Sequence, residues 1–240
     1  MTIPPPEVLA AACPPSCSAK MPAIRIRPKD LPATFAIFPL PGVLLLPHGR
    51  LPLNIFEPRY RAMTEDSLGA GRMFATIQPD PGAPEGPNGP ALYRVGCLGR
   101  ITSFSETDDG RYMITLLGLA RFTIASEIDM HRGYRRVMGD FAPYLTDLAD
   151  PEAGAVDREA MLAALRGYFS HKGVDANWDA IQRLPDPALV VTLAMVCPFE
   201  PIEKQALLEA PSEADRADTL LALLRMGAAE QGEPHGRPVS

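Results

Sequence analysis

The 240-residue chain has little lysine, histidine or cysteine, and each scarcity excludes a chemistry. Its lysines are Lys20, Lys29, Lys172 and Lys204, and none follows a glycine. A phosphate-cradling Gly-x-x-x-x-Gly-Lys loop is therefore absent. A serine–lysine peptidase pair is also unsupported. Lys20 and Lys29 fall in a proline-rich leader, and Lys172 and Lys204 fall at helix ends, where a solvated charge is the ordinary expectation. His48, His131, His171 and His235 are scattered, without His-x-x-x-His spacing or clustered carboxylates, so no metal site is expected. Cys13 and Cys17 have the spacing of half a metal site, but no second Cys/His pair lies near them. Cys97 and Cys197 lie in apolar segments, where a thiol serves as a small hydrophobe, and a reducing cytoplasm is the expected compartment. No apolar run approaches the roughly 20 residues of a membrane helix, and no basic segment precedes Val8–Ala12.

What is present is ordinary in bulk and ordered in detail. The chain is 46% hydrophobic and 22% charged, as in a globular protein of one large domain or two small ones. Its net charge of −6 disfavours general nucleic-acid binding, which needs clustered Lys and Arg. Three short apolar runs, Phe35 to Leu40, Val43 to Leu46 and Leu51 to Phe56, are cut by Pro39, Pro41, Pro47 and Pro52. Each has the length of a strand, and the prolines place those strands at edges, bends or crossings. Pro58 suits the first turn of a helix, carried to about residue 69 by Tyr60, Met63 and Leu68.

Met73 to Gln78 reads as a strand, and Pro79 to Pro90 as a long exposed loop of turn formers. Arg94 to Phe104 and Arg111 to Leu117 form a hairpin about Asp109-Gly110. Both faces of the second strand are apolar, which predicts cover on both sides. Phe122 to Ile128 and Tyr134 to Phe141 continue the series, giving a small β-barrel or half-barrel with one early helix. After Tyr144 the pattern turns helical. Asp150-Pro-Glu marks a start, and Met161, Leu162, Leu165, Tyr168 and Phe169 form a stripe ending near Gly173. A short helix around Trp178 and Ile181 stops at Pro185. A buried helix at Ala188 to Val196, another at Pro201 to Leu208, and a last one from Ser212 to about Met226 follow, the last with capping-box spacing between Ser212 and Asp215.

Several ordered motifs carry a resemblance. Phe38-Pro-Leu-Pro-Gly-Val43 and Leu51-Pro-Leu-Asn-Ile-Phe-Glu-Pro-Arg-Tyr60 come first, then Val95-Gly-Cys-Leu-Gly-Arg-Ile101, Asp109-Gly-Arg-Tyr112 and Leu117-Gly-Leu-Ala-Arg-Phe122. Ala194-Met-Val-Cys-Pro-Phe199 and Glu203-Lys-Gln-Ala-Leu-Leu-Glu209 complete them. Over residues 34 to 226 the chain resembles the Lon protease N-terminal (substrate-binding) domain family, in its stand-alone bacterial form without ATPase or peptidase domains. The resemblance implies an α+β fold, a PUA-like small β-barrel followed by a C-terminal helical bundle. The implied division is a flexible leader at 1–33, the barrel at 34–145, the bundle at 146–228 and a polar tail at 229–240.

It also implies a non-catalytic protein without cofactor that binds unfolded or peptide segments, as an adaptor or holdase linked to ATP-dependent proteolysis, with Lon protease a candidate partner. The residues on which such contact would fall are Phe56, Glu57, Arg59 and Tyr60, bordering a groove for an extended peptide. A plain helix start accounts for the last three as well: Glu57 caps, Arg59 pairs with a nearby carboxylate, and Tyr60 packs with its hydroxyl outward. Arg94, Arg100, Arg111 and Arg121 are expected on a solvated face. An RNA-binding PUA-like protein, argued by fold analogy alone, and a small-molecule sensor are the alternatives.

Overall fold

The computed structural model describes residues 26–150 and 156–229. The expectations for the leader up to residue 25, for Cys13 and Cys17, for the helix start at Pro151-Glu152, and for the tail beyond 229 lie outside them.

Six strands form one sheet: β1 (Thr34–Pro39), β2 (Arg50–Ile55), β3 (Met73–Ile77), β4 (Val95–Glu106), β5 (Tyr112–His131) and β6 (Tyr134–Asp140). Their order is β2-β5-β4-β3-β1-β6, and β6 pairs again with β5. Only β1 and β3 run parallel; the other pairs are antiparallel. The second partner of β6 is β5, a single 20-residue strand where the sequence predicts two. Its first half lies between β2 and β4, from Tyr112 opposite Ile55 to Leu117 opposite Arg50, and its second half pairs with β6 from Thr123 to His131. Pro52 sits on β2, which has β5 as its one strand partner, so the missing donor falls on an edge.

Val43 to Leu46 is not a strand. Its backbone joins no ladder, although Leu44, Leu45 and Leu46 are buried. Prolines at 41 and 47 flank the run, so it crosses the sheet by its side chains instead. The crossing is close: a Cβ on Gly118 would lie 2.0 Å from the Leu46 carbonyl oxygen. His48 N–H donates to the Gly118 carbonyl at 2.9 Å, and Gly118 N–H to that of Gly49 at 2.9 Å. Only glycine permits that approach. The first half of β5 is also not covered on both faces. Tyr112, Ile114 and Leu116 are buried, but Met113 on the opposite face is exposed.

The core of the sheet gathers Phe35, Ile37, Ile77, Leu98, Phe122 and Val137 among others, with Phe35 and Phe122 edge-on at 4.8 Å. Helix α1 (Pro58–Gly69) buries Tyr60, Ala62 and Met63. A 3₁₀ segment, Ala142–Leu148, follows β6.

Five further helices are α2 (Arg158–Lys172), α3 (Trp178–Arg183), α4 (Asp186–Val196), α5 (Pro201–Glu209) and α6 (Glu213–Ala229). The described residues divide into two compact units, 26–150 with 191–209 and 156–190 with 210–229. The end of α4 and all of α5, which the sequence assigns to the bundle, thus fall with the sheet. Polar side chains hold them there. Gln205 donates to the Val95 carbonyl at 3.1 Å, and Gln78 to that of Pro201 at 3.1 Å.

In the other unit, α2 starts at a cap: the Asp157 carboxylate accepts from Ala160 N–H at 2.9 Å. It ends at Gly173 with φ 64°. Ser212 Oγ accepts from Asp215 N–H at 3.1 Å while the Asp215 carboxylate accepts from Ser212 N–H at 3.1 Å, the reciprocal box that the spacing predicts.

Candidate functional site

The candidate residues lie where β2 hands over to α1. Pro58 occupies the first helical turn, and Glu57 stands at the capping position with extended backbone. The Glu57 side chain does not cap the helix. Its backbone carbonyl accepts from Tyr60 N–H at 3.0 Å and Arg61 N–H at 2.9 Å. The carboxylate turns to Arg59, accepting from Nε at 3.1 Å and Nη2 at 2.9 Å. Both partners are exposed enough for solvent screening, so the pair contributes about 1 kcal/mol at most.

The Arg59 guanidinium also lies 4.5 Å from the Tyr60 ring centroid. Tyr60 is 7% exposed and packs on Phe38 at 4.2 Å, so it is a wall residue with its hydroxyl raised above the ordinary tyrosine range by burial. Phe56, by contrast, is 51% exposed. The structure thus joins Glu57, Arg59 and Tyr60 in one stack and leaves Phe56 on the surface beside it.

Three polar arrangements escape the sequence reading. Arg121, expected on a solvated face, is buried. It meets Asp147 through its backbone N–H, Nε and Nη2, each at 2.9 Å, and donates from Nη1 to the Leu208 carbonyl at 3.1 Å. Its position inside the apolar run Leu119 to Phe122 was the available signal. Lys204, expected at a solvated helix end, is 7% exposed and donates from Nζ to the Gly42 carbonyl at 2.8 Å. Burial holds its ammonium below the ordinary lysine range and pushes the Cys197 thiol up to about 12.

The third arrangement is a set of hydrogen bonds between α1 and the turn after β5. Glu65 is held below its ordinary range by hydrogen bonds from Arg132 and Tyr112. For Asp66, burial acts upward, but hydrogen bonds from Tyr134 and Arg132 outweigh it and the net shift is downward. No local pattern marks such pairs, which are 47 to 68 residues apart. Among the described residues, no group of three or more His, Cys, Asp or Glu side chains is placed to hold a metal ion. No helix among them is long and apolar enough to cross a membrane.

Comparison with known proteins decides the family. A family model described as the ATP-dependent protease La (LON) substrate-binding domain matches residues 34–226. The chain belongs to the Lon substrate-binding domain family. It is 27% identical over 194 residues to Lon protease 1 of Thermus thermophilus, covering 78% of this chain and 24% of that one. It is 24% identical over 219 residues to Lon protease 2 of Myxococcus xanthus, covering 86% and 25%. The chain therefore spans about a quarter of the length of these curated relatives.

Among solved structures, a Lon N-terminal domain protein from Xanthomonas campestris matches with TM-score 0.54 and 22% identity, covering 79% of this chain and 97% of that one. The N-terminal domain of Lon protease from the Mycobacterium avium complex matches with TM-score 0.54 and 15% identity, covering 80% and 97%. At these identities the likeness shows the fold, a mixed α+β arrangement that the Lon N-terminal domains share.

Proposed function

We propose that this chain is a non-catalytic binding module for unfolded or peptide segments, serving as an adaptor or holdase linked to ATP-dependent proteolysis in the cytoplasm, with Lon protease a partner. The observation that carries the reading is the match of residues 34–226 to a substrate-binding domain. The start of α1 supports it. Phe56 offers exposed aromatic area, and Glu57 and Arg59 offer polar groups beside it, on the side of an edge strand. Tyr60 acts from below by fixing Arg59.

On this reading the returning β5–β6 pairing makes β5, β4, β3, β1 and β6 a small PUA-like barrel with β2 at its edge, and the helices after it form a bundle.

The test is fluorescence anisotropy of a labelled, permanently unfolded polypeptide titrated with the chain, beside a labelled RNA at two salt concentrations. Saturable polypeptide binding, weakened by Phe56→Ser, is the expected result. Salt-sensitive RNA binding without polypeptide binding would overturn the reading.

A further inference from the structure

The carboxylates of Glu65 and Asp66 on α1 present four oxygens, and each receives a hydrogen bond from a different donor atom on three side chains. Tyr112 Oη donates to Glu65 Oε1 at 2.9 Å and Arg132 Nη2 to Glu65 Oε2 at 2.9 Å. Arg132 Nη1 donates to Asp66 Oδ1 at 2.7 Å and Tyr134 Oη to Asp66 Oδ2 at 2.8 Å. His131 Nε2 stands 3.6 Å from the same Oδ2. One guanidinium fork therefore bridges two consecutive carboxylates, a geometry that lysine cannot supply.

The backbone beneath that fork is strained. His131 pairs with Tyr134, so Arg132 and Gly133 are the two central residues of a tight hairpin. Their φ angles are 47° and 85°. Glycine adopts that conformation freely and asparagine readily, but arginine does so at a cost. Such a conformation persists where surrounding contacts over-determine it, and the two carboxylates do so here. The same turn lies beside the start of the helix, where a Cβ added to Gly133 would come within 3.4 Å of the Arg59 Cβ. The turn is therefore bonded to α1 at Glu65–Asp66 and is its neighbour at Arg59.

We propose that this turn is a clamp, with Arg132 the positioning residue that fixes the first turn of α1, and so the Glu57–Arg59 pair, for contact with polypeptide. The inference rests on the polypeptide-binding reading for its purpose, but not for its mechanics. If the fork only decorated the surface, the strained arginine would be without compensation, and removing it would leave the helix start unchanged.

The test compares Arg132→Gly, Glu65→Gln with Asp66→Asn, and all three substitutions together. Arg132→Gly leaves a Gly-Gly turn that favours the same hairpin, so the fold is retained while the fork is lost. Two quantities are read: hydrogen exchange at the Tyr60 and Arg61 amides, both bonded to the Glu57 carbonyl, and affinity for the labelled unfolded polypeptide. Arg132→Gly is expected to speed exchange at those amides up to about fivefold and to weaken affinity by a similar factor, as loss of a surface ion-pair network would. In the Glu65→Gln, Asp66→Asn background it should add nothing further.

Unchanged exchange at Tyr60 and Arg61 would overturn the clamp, whatever the affinity. Effects that simply add to those of the carboxylate substitutions would overturn it as well. Faster exchange in a protein whose parent binds no polypeptide would uphold the clamp and reject the polypeptide reading alone.

Discussion

Replacing Asp147 by alanine removes one partner of a buried ion pair whose side chains are 4% and 8% exposed. Its carboxylate takes three hydrogen bonds from Arg121, whose guanidinium also donates to the Leu208 carbonyl and lies 4.7 Å from the Tyr144 ring centroid. Removing one member of such a pair costs about 3–5 kcal/mol, because the other charge stays desolvated. Each kcal/mol lowers the melting temperature by roughly 2–4 °C in a protein of this size, so a fall of about 6–20 °C is expected. Far-UV circular dichroism is the appropriate probe, since the single tryptophan, Trp178, lies in the helical unit rather than with the sheet.

Two controls sharpen the result. Arg121→Met with Asp147→Leu removes both charges but leaves the Leu208 carbonyl without its donor and the residue-121 backbone N–H without its acceptor, each a loss of about 1–3 kcal/mol. Glu57→Gln breaks the exposed pair with Arg59 and should cost under about 1 kcal/mol. A loss below about 1 kcal/mol for Asp147→Ala would refute the reasoning, since it would mean that Arg121 finds water.

Gly118→Ala should destabilise the chain by about 3 kcal/mol or more, because the new methyl meets the Leu46 carbonyl rather than a movable side chain. Denaturant titration checks it, and an unchanged midpoint would contradict the crossing described for Leu46–Gly49. Lys204→Met should remove a pH dependence. Burial lowers the folded-state value below the ordinary 10.5, so unfolding takes up a proton between the two values, and stability rises as pH rises through that window. The Cys197 thiol, pushed up to about 12, acts in the opposite sense above its ordinary 9.0, so urea titrations at several pH values above neutrality should show the parent's stability rising relative to that of the variant.

Most of the fold was legible because its signals are local. Prolines at 39, 47, 52 and 58 punctuate the chain at a strand end, a crossing, an edge strand and a helix start, and in each place the missing N–H costs nothing. What failed was non-local. Val43 to Leu46 has the composition of a strand, yet flanking prolines and the glycine across from it make it a buried crossing. Gly118 to Arg121 reads as a break between strands, but pairing with β4 carries the ladder of β5 through it.

The site divided in the same way. Pro58 and Glu57 signalled the helix start, but that Glu57 would prefer Arg59 to capping depends on side-chain geometry that spacing does not fix. The burial of Lys204 and Arg121 depends on where α5 comes to rest, about 87 residues from Arg121 in sequence, and no periodicity encodes that distance.

The central claim, that polypeptide is bound at the start of α1, is tested most directly by amide chemical-shift mapping during titration with a permanently unfolded polypeptide. Saturable shifts concentrated over Leu53 to Arg61, and extending to the Arg132–Gly133 turn, are the predicted result. Shifts confined to other surfaces, or none at all at saturating polypeptide, would contradict it.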